Sequence, residues 1–369
     1  MFNRVCLYCF YDKEGIVDSY VVDTLQKLAK VSAKVYVIVN GVVTDAGYSK
    51  LANNSTRVIC RDNNGYDGGA YAFFFKNYWE NEISDEIEEL VLCNNSFFGP
   101  FGSFEEIFEN MESDSDFWGM RLIDRKAFSF IESYFLVFRK KVIEDEVLNY
   151  YFTENYKYLS CANYFETCFW LERGLFSFLR SRGYTFDTYV KDSPCYDIFM
   201  SPDSCMIKSG LPILKRKCFS EEYYSQIKIK RCIEYIKNET DYPVEILLDY
   251  CKKADCNGKN VTDDSEKLVP IFPIEREELM AFIREYHDIY IYGAGITGGN
   301  IWSTYKYYIY NMKGFIDENG CGSFLGERVI SIGEVPKRSN IIVALNRRNT
   351  SEVLSIIKGK HNIITLWMD

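Results

Sequence analysis

The first hundred residues alternate two patterns: short unbroken apolar runs, and longer stretches with apolar residues every third or fourth position. Val5–Phe10 (VCLYCF) is such a run, which predicts a strand covered on both faces. Val17–Lys30 places Val21, Leu25 and Leu28 on one helical face. Lys34–Val39 (KVYVIV) and Thr56–Cys60 (TRVIC) predict two further strands, and Val91–Cys93 centres a fourth. Between the last two, Gly68-Gly69 opens an aromatic-rich helix from Ala70 to about Glu82. Strands separated by helices predict right-handed βαβ units and a parallel sheet.

The pattern then changes. Phe104–Met111 reads as a short helix; Asp116–Leu122 and Glu132–Phe138 read as strands, as antiparallel additions. Cys161–Arg182 reads as one helix ending at Gly183, a C-terminal capping glycine. Glu221–Lys237 and Val244–Lys253 are helical, and Ala254–Asp264 is a polar linker. A fresh βαβ pattern follows: Asp288–Tyr292, a glycine-rich turn with a helix, Met312–Ile316, and later Asn340–Leu345. The expected fold class is α/β. It has a mixed, mainly parallel sheet flanked by helices, then a helical segment and a smaller Rossmann-like α/β domain. The expected boundaries are 1–217, 218–265 and 266–369.

Composition narrows the classes. A formal net charge of -10 disfavours a nucleic-acid partner, which needs clustered Lys and Arg. No apolar run reaches the roughly 18 residues of a membrane helix. MFNRVCLYCF passes straight into a strand pattern, so no signal peptide is expected. The 13 scattered cysteines lack zinc spacing, and Cys6 and Cys9 sit on opposite faces of one strand. They are expected to be structural thiols in a reducing cytoplasm. Aromatic faces, 17% of the chain, can stack on sugars but also fill cores.

The chemistry gathers at strand ends: Tyr11-Asp12, Asn40-Gly41, Asn63 to Gly69 (NNGYDGG) and Asn94-Asn95-Ser96. In an open α/β sheet these all face one rim, where ligands bind. Gly68-Gly69 at a helix start suits an anion.

The blocks FYDKEGIVDSYV, NNGYDGGAYA, LVLCNNSFFGPF, FWGM and ESYFLVFRK, followed by YFETCFWLERGLFSFLRSRGY and GLPILKRKCF, resemble the rhamnan synthesis F family of polysaccharide glycosyltransferases. The resemblance covers roughly residues 1–250. It implies a GT-A-type fold and transfer of a sugar, typically rhamnose, from a nucleotide diphosphate donor to a growing glycan with inversion. By position, Asn64 and Gly65 match the turn that approaches the donor. Asn94, Asn95 and Ser96 match a strand end that usually reads Asn-Asp-Ser. Tyr11, Asp12 and Asn40 join the expected donor site. Asn95 is the one candidate ligand for Mg²⁺ or Mn²⁺, and its amide brings no charge, which leaves metal dependence open. Cations are then needed for the leaving diphosphate, with Arg61, Arg139, Lys215 and Arg216 as candidates. Glu166 matches the family's acid and is the expected base, in a helix whose apolar neighbours would raise its pKa; Asp67 is the second acid.

Gly293-x-Gly295-x-x-Gly298, between a strand and a helix and followed by Asp317, forms a dinucleotide-type fingerprint. It resembles the small Rossmann-like modules of polysaccharide-biosynthesis enzymes, which implies an accessory nucleotide site. The alternative is a non-catalytic nucleotide- or nucleotide-sugar-binding regulatory protein working through this module. The basic run from Lys208 to Lys237 suits contact with the inner membrane face of a bacterial cell, where a lipid-linked capsule or lipopolysaccharide acceptor resides.

Overall fold

Strand β1 (Arg4–Phe10) is buried at every position, as an unbroken apolar run requires. The computed structural model describes residues 3–83, 86–191, 194–253, 261–318 and 320–367. β1 pairs in parallel with β2 (Lys34–Asn40) and with β4 (Glu89–Asn94), and β2 pairs in parallel with β3 (Arg57–Arg61). Helices Ser19–Val31, Asp45–Ala52 and Tyr66–Asn77 lie on the connections. Val21, Leu25 and Leu28 form the buried face of the first, as their spacing predicts.

Beyond β5 (Phe97–Phe98) the sheet gains β6 (Phe117–Asp124), β7 (Ser129–Ile131), β8 (Phe135–Arg139) and β9 (Phe186–Val190). The 8-stranded sheet runs β3-β2-β1-β4-β8-β6-β7, with β9 beside β6. β8 is antiparallel to both β4 and β6, so the sheet is mixed and mainly parallel. A two-residue strand, β10 (Leu214–Lys215), pairs antiparallel with β5. The expected strands are present; β5, β7, β9, β10 and the helix Pro202–Ile207 are additions.

A 6-stranded sheet contains β11 (Asp288–Tyr292), β12 (Asn311–Ile316), β13 (Ser323–Phe324), β14 (Glu327–Ile330), β15 (Asn340–Val343) and β16 (Asn362–Thr365). Its order is β13-β14-β12-β11-β15-β16, parallel except at β13. The helix Ile296–Tyr305 is buried from Gly298 to Tyr305.

The chain packs as two units, and they follow other boundaries than the linear division at 217 and 265. One gathers the chain up to Leu122 with Ile131–Cys161 and Thr185–Val269; the other gathers Ile123–Phe130, Ala162–Tyr184 and everything from Pro270. Helices Gln226–Glu239 and Val244–Lys253 belong to the first unit, where Ile229, Cys232, Ile236 and Leu247 share a core with Tyr8 and Val21. Residues 254–260 of the expected linker lie outside the described residues.

The stretch read as one helix, Cys161–Arg182, is helical from Tyr164 to Ser181, with a wider turn over Phe169–Gly174. It packs in the second unit. A Cβ on Gly299 would come within 2.6 Å of the Phe169 ring, and the Ser177 hydroxyl donates to the Thr304 carbonyl. Lys306 Nζ lies 3.7 Å from the centre of the Trp170 ring. No helix among the described residues is long and apolar enough to cross a membrane.

Candidate functional site

The parallel register brings the four strand ends of the first unit to one rim: Phe10 pairs with Val39, Val39 with Cys60, and Cys9 with Asn94. Three hydrogen-bonded groups occupy that rim.

The first is Asn95. Its Oδ1 accepts from the Tyr11 N–H at 3.1 Å, and its Nδ2 donates to the Tyr11 carbonyl at 2.9 Å and the Tyr20 hydroxyl at 3.3 Å. The buried amide thus copies a backbone pairing and carries the β1–β4 ladder one step past the strands. As a metal ligand it does not fit, because its oxygen is turned onto a backbone donor. Among the described residues no three of His, Cys, Asp or Glu are grouped to hold a metal ion. The rim thus offers no ready-made protein cage for Mg²⁺ or Mn²⁺, and Asn95 itself is closed to one. Asp12 shapes its own turn: its Oδ1 accepts from the N–H groups of Glu14 and Ile16. Tyr11 is largely exposed.

The second group supports the NNGYDGG loop. Asn40 is buried; its Nδ2 donates to the Tyr66 carbonyl at 2.8 Å, and its Oδ1 accepts from Arg61 at 2.6 Å. Arg61 also donates to the Asn64 carbonyl at 2.7 Å. Gly65 has φ +75°, and a Cβ there would lie 1.7 Å from the Leu159 carbonyl oxygen. Glycine is demanded at this position by both conformation and space. Arg61 and Asn40 are therefore buttresses of the loop.

The third group is a directed chain. Lys215 Nζ donates to Ser96 Oγ at 2.6 Å, and the Ser96 hydroxyl donates to Asn94 Oδ1, also at 2.6 Å. Asn94 Nδ2 then donates to Asp67 Oδ2 at 2.7 Å, while Asp67 Oδ1 accepts from the Gly68 N–H at 3.0 Å. Every link points the same way, from cation to carboxylate, which polarises the bonds cooperatively. Burial raises the Asp67 carboxyl above its ordinary value, opposed by the Asn94 amide, the Gly68 N–H and Lys215. Lys215 Nζ also sits 4.2 Å from the centre of the Tyr134 ring.

Pairing of β10 with β5 sets Lys215 opposite Phe97. The next residue, Arg216, donates its backbone N–H to the Ser96 carbonyl at 2.9 Å and its Nη1 to the Asn95 carbonyl at 3.1 Å. Arg139 is a correction. It binds the Met111, Ser113 and Ser115 carbonyls and approaches Glu89 at 3.6 Å. Glu89 begins β4, so Arg139 serves the opposite rim, beside the buried Arg4–Glu89 pair.

Glu166 is a capping residue. Its Oε2 accepts from the Asn163 N–H at 2.9 Å, and its own N–H donates to Asn163 Oδ1 at 3.0 Å. It is half-buried, and of the apolar neighbours expected around it Tyr164 and Phe165 are exposed while Phe169 and Trp170 are buried.

In the second unit the fingerprint follows β11 as predicted. Gly293 has φ +115°, and a Cβ on Gly298 would meet the Gly293 carbonyl oxygen at 1.9 Å. Gly295 has nothing within 4 Å of such a Cβ. Asp317 follows β12, and its Oδ2 accepts from the Ala294 N–H at 3.3 Å.

The basic run is mostly paired. Lys208 faces Glu266, Lys217 faces Glu222, Lys230 faces Glu234, and Arg231 faces Asp203 and Asp264. Lys228 is buried against the Met200 and Ser265 carbonyls.

Tyr20 and Tyr250 were not singled out from sequence. Tyr20 donates its hydroxyl to the Asn95 carbonyl at 3.1 Å, and the Tyr250 hydroxyl accepts from Arg216 at 3.4 Å. Nothing distinguishes them in a chain with 29 tyrosines.

The sequence model of the family described as "RgpF: Rhamnan synthesis protein F" matches residues 35–268. Two curated relatives from Vibrio anguillarum, each named "Virulence protein VirA", are 27% identical over 152 residues, covering 41% of this chain and 47% of theirs. The chain thus spans about half the length of the curated relatives it matches. Among solved structures, HddC from Yersinia pseudotuberculosis aligns over 39% of this chain and 80% of its own at 15% identity and a TM-score of 0.27. A cytidylyltransferase from Leptospira borgpetersenii aligns over 65% of this chain and 98% of its own at 13% identity and a TM-score of 0.33. Both likenesses are too slight to build on.

Proposed function

Because the chain belongs to the rhamnan synthesis protein F family, we propose that it is a glycosyltransferase of polysaccharide biosynthesis. In this reading it moves a sugar, rhamnose first among candidates, from a nucleoside diphosphate donor to a growing cell-surface or lipid-linked glycan with inversion. The observation that carries it is the Lys215–Ser96–Asn94–Asp67 chain at the carboxyl rim of the parallel strands. A polarised, partly buried row ending in a cation and a carboxylate suits a ligand with sugar hydroxyls and a diphosphate. Tyr11, exposed at the same rim, can lie against a base or sugar.

Inverting transfer needs a carboxylate to take the acceptor proton. Glu166 and Asp67 are the candidates. The test is transfer or hydrolysis from a panel of UDP- and dTDP-sugars by wild type, Asp67→Asn and Glu166→Gln. Glutamine completes the same capping box, so Glu166→Gln separates chemistry from helix capping. A fall of about 10²-fold or more in kcat marks the base. Wild-type turnover in Glu166→Gln removes Glu166 from that role, and no turnover of any donor by wild type rejects the transferase reading.

A second reading, a nucleotide-binding regulatory protein, is favoured by Gly295, where no neighbour requires a glycine. Nucleotide-dependent thermal stabilisation abolished by Gly295→Val but not by Asn94→Ala supports it; the reverse supports the transferase.

A further inference from the structure

We propose that the donor's diphosphate is neutralised at this rim by Arg216 and Lys215, so that nucleotide binding needs no divalent cation. This rests on the transferase reading above.

The donor set is the first ground. Asp67 is the one carboxylate in the polarised chain, and its two oxygens accept from Gly68 and Asn94. The Asn95 amide is closed onto Tyr11. A dication on a nucleotide diphosphate takes water and phosphate oxygens but still needs one or two protein carboxylates to hold it, and both oxygens of the one in this chain already accept hydrogen bonds.

The second ground is how the cations arrive. Lys215 and Arg216 lie more than a hundred residues beyond Ser96, yet three contacts fix them to its turn. These are the β10–β5 register, the Arg216 N–H on the Ser96 carbonyl, and the Lys215 ammonium on the Ser96 hydroxyl.

The third ground is the state of Arg216. Its guanidinium is half-buried and meets the Asn95 carbonyl, the Tyr250 hydroxyl, and the rings of Tyr20 and Tyr250 at 5.5 and 5.7 Å. Among the described residues no carboxylate forms an ion pair with it, and the Asp12 carboxylate acts on it only from farther off. A guanidinium has five donors in a planar fork that matches phosphate oxygens. Burial opposes its charge, but Tyr20, Tyr250 and Asp12 together outweigh that and hold the guanidinium charged at the rim, where it can meet a phosphate.

The chemistry calls for this charge. As the bond from the anomeric carbon to the diphosphate oxygen breaks, its electron pair leaves with that oxygen, adding a negative charge to the leaving group. The acceptor oxygen bonds to the anomeric carbon, and its proton passes to the base. Preorganised cations at the leaving oxygen do the work of a metal here.

The experiment is isothermal titration of UDP and dTDP, with uridine and thymidine as controls, in EDTA and then in Mg²⁺ or Mn²⁺. Diphosphate affinity in wild type should agree within about twofold between the buffers, far below the tenfold steps that free-energy differences of 1.4 kcal/mol produce. Arg216→Gln should weaken the diphosphates about tenfold or more and spare the nucleosides, as loss of a charge-assisted bond predicts. Arg216→Lys, melting as wild type does, should fall between. Diphosphate binding that appears only with metal overturns this proposal and leaves the transferase reading standing. Equal weakening of nucleoside and diphosphate in Arg216→Gln also overturns it. Failure of wild type to bind either nucleotide in any buffer rejects both.

Discussion

The two parallel sheets end in opposite ways. In the first unit the strand ends carry amides, a hydroxyl, a lysine and a carboxylate that bind one another, so side chains are ordered before any ligand arrives. In the second unit the strand end is nearly bare of side chains. Gly293 and Gly298 clear space for backbone, and Asp317 reaches back to the Ala294 N–H. The first is a preorganised polar surface, the kind a reaction needs because dipoles fixed in advance need not reorganise. The second offers backbone and a helix start, enough to hold a ligand without chemistry. Similar topology therefore presents different surfaces, and the difference lies in which atoms occupy the rim.

Substitutions can break or sharpen this contrast. The largest effect is expected from Gly65→Ala, which must move the Leu159 carbonyl and adopt φ +75°. Chemical denaturation should show a loss of about 3–5 kcal/mol. Gly298→Ala should destabilise the second unit comparably, since the added carbon meets the Gly293 carbonyl at 1.9 Å.

Next is Lys215→Met, which removes the cation from one chain and leaves the other sheet untouched. Transfer from the nucleotide sugar should fall about 10²-fold in kcat/KM, as loss of one preorganised donor does elsewhere. A steady-state assay at fixed acceptor checks it.

A smaller and pH-dependent effect belongs to Lys306. Burial lowers this lysine to about 7, with Glu327 opposing. The unfolded chain then binds more protons than the folded one between about pH 7 and the ordinary lysine value. This group's contribution to stability therefore rises with pH across that window, and its penalty is fully present below pH 7. Lys306→Met should stabilise the protein at pH 6 by on the order of 1 kcal/mol, and the gain should shrink toward pH 10. Melting curves at the two pH values test the sign.

The smallest effect is expected at Gly295→Ala, where nothing stands within 4 Å. Its unfolding free energy should stay within about 0.5 kcal/mol of wild type by chemical denaturation.

Much of the first sheet was legible because β1, β2 and β4 are apolar on both faces and end abruptly in Asn or Tyr-Asp. That fixed direction, and direction brings the ends together. β10 was not legible: two residues carry no period, so the pairing that brings Lys215 and Arg216 to Ser96 left only charge to read. The capping role of Glu166 was not legible, because Tyr164 and Phe165 look like core but are exposed, and the signal for it is Asn163 three residues earlier. The grouping of Ala162–Tyr184 with the second unit was hidden for a plainer reason. Its partners, Gly299 and Thr304, lie more than a hundred residues away, and hydrophobic spacing names a buried face without naming what covers it.

That grouping bears on how the protein can be dissected. The second unit is threaded from three separate lengths of polypeptide. A stop codon at 266 would not liberate an intact first unit alone. It would strip Gly299 and Phe324 from Phe169 and Tyr307 from Phe178, and such a fragment should be sticky and prone to precipitate.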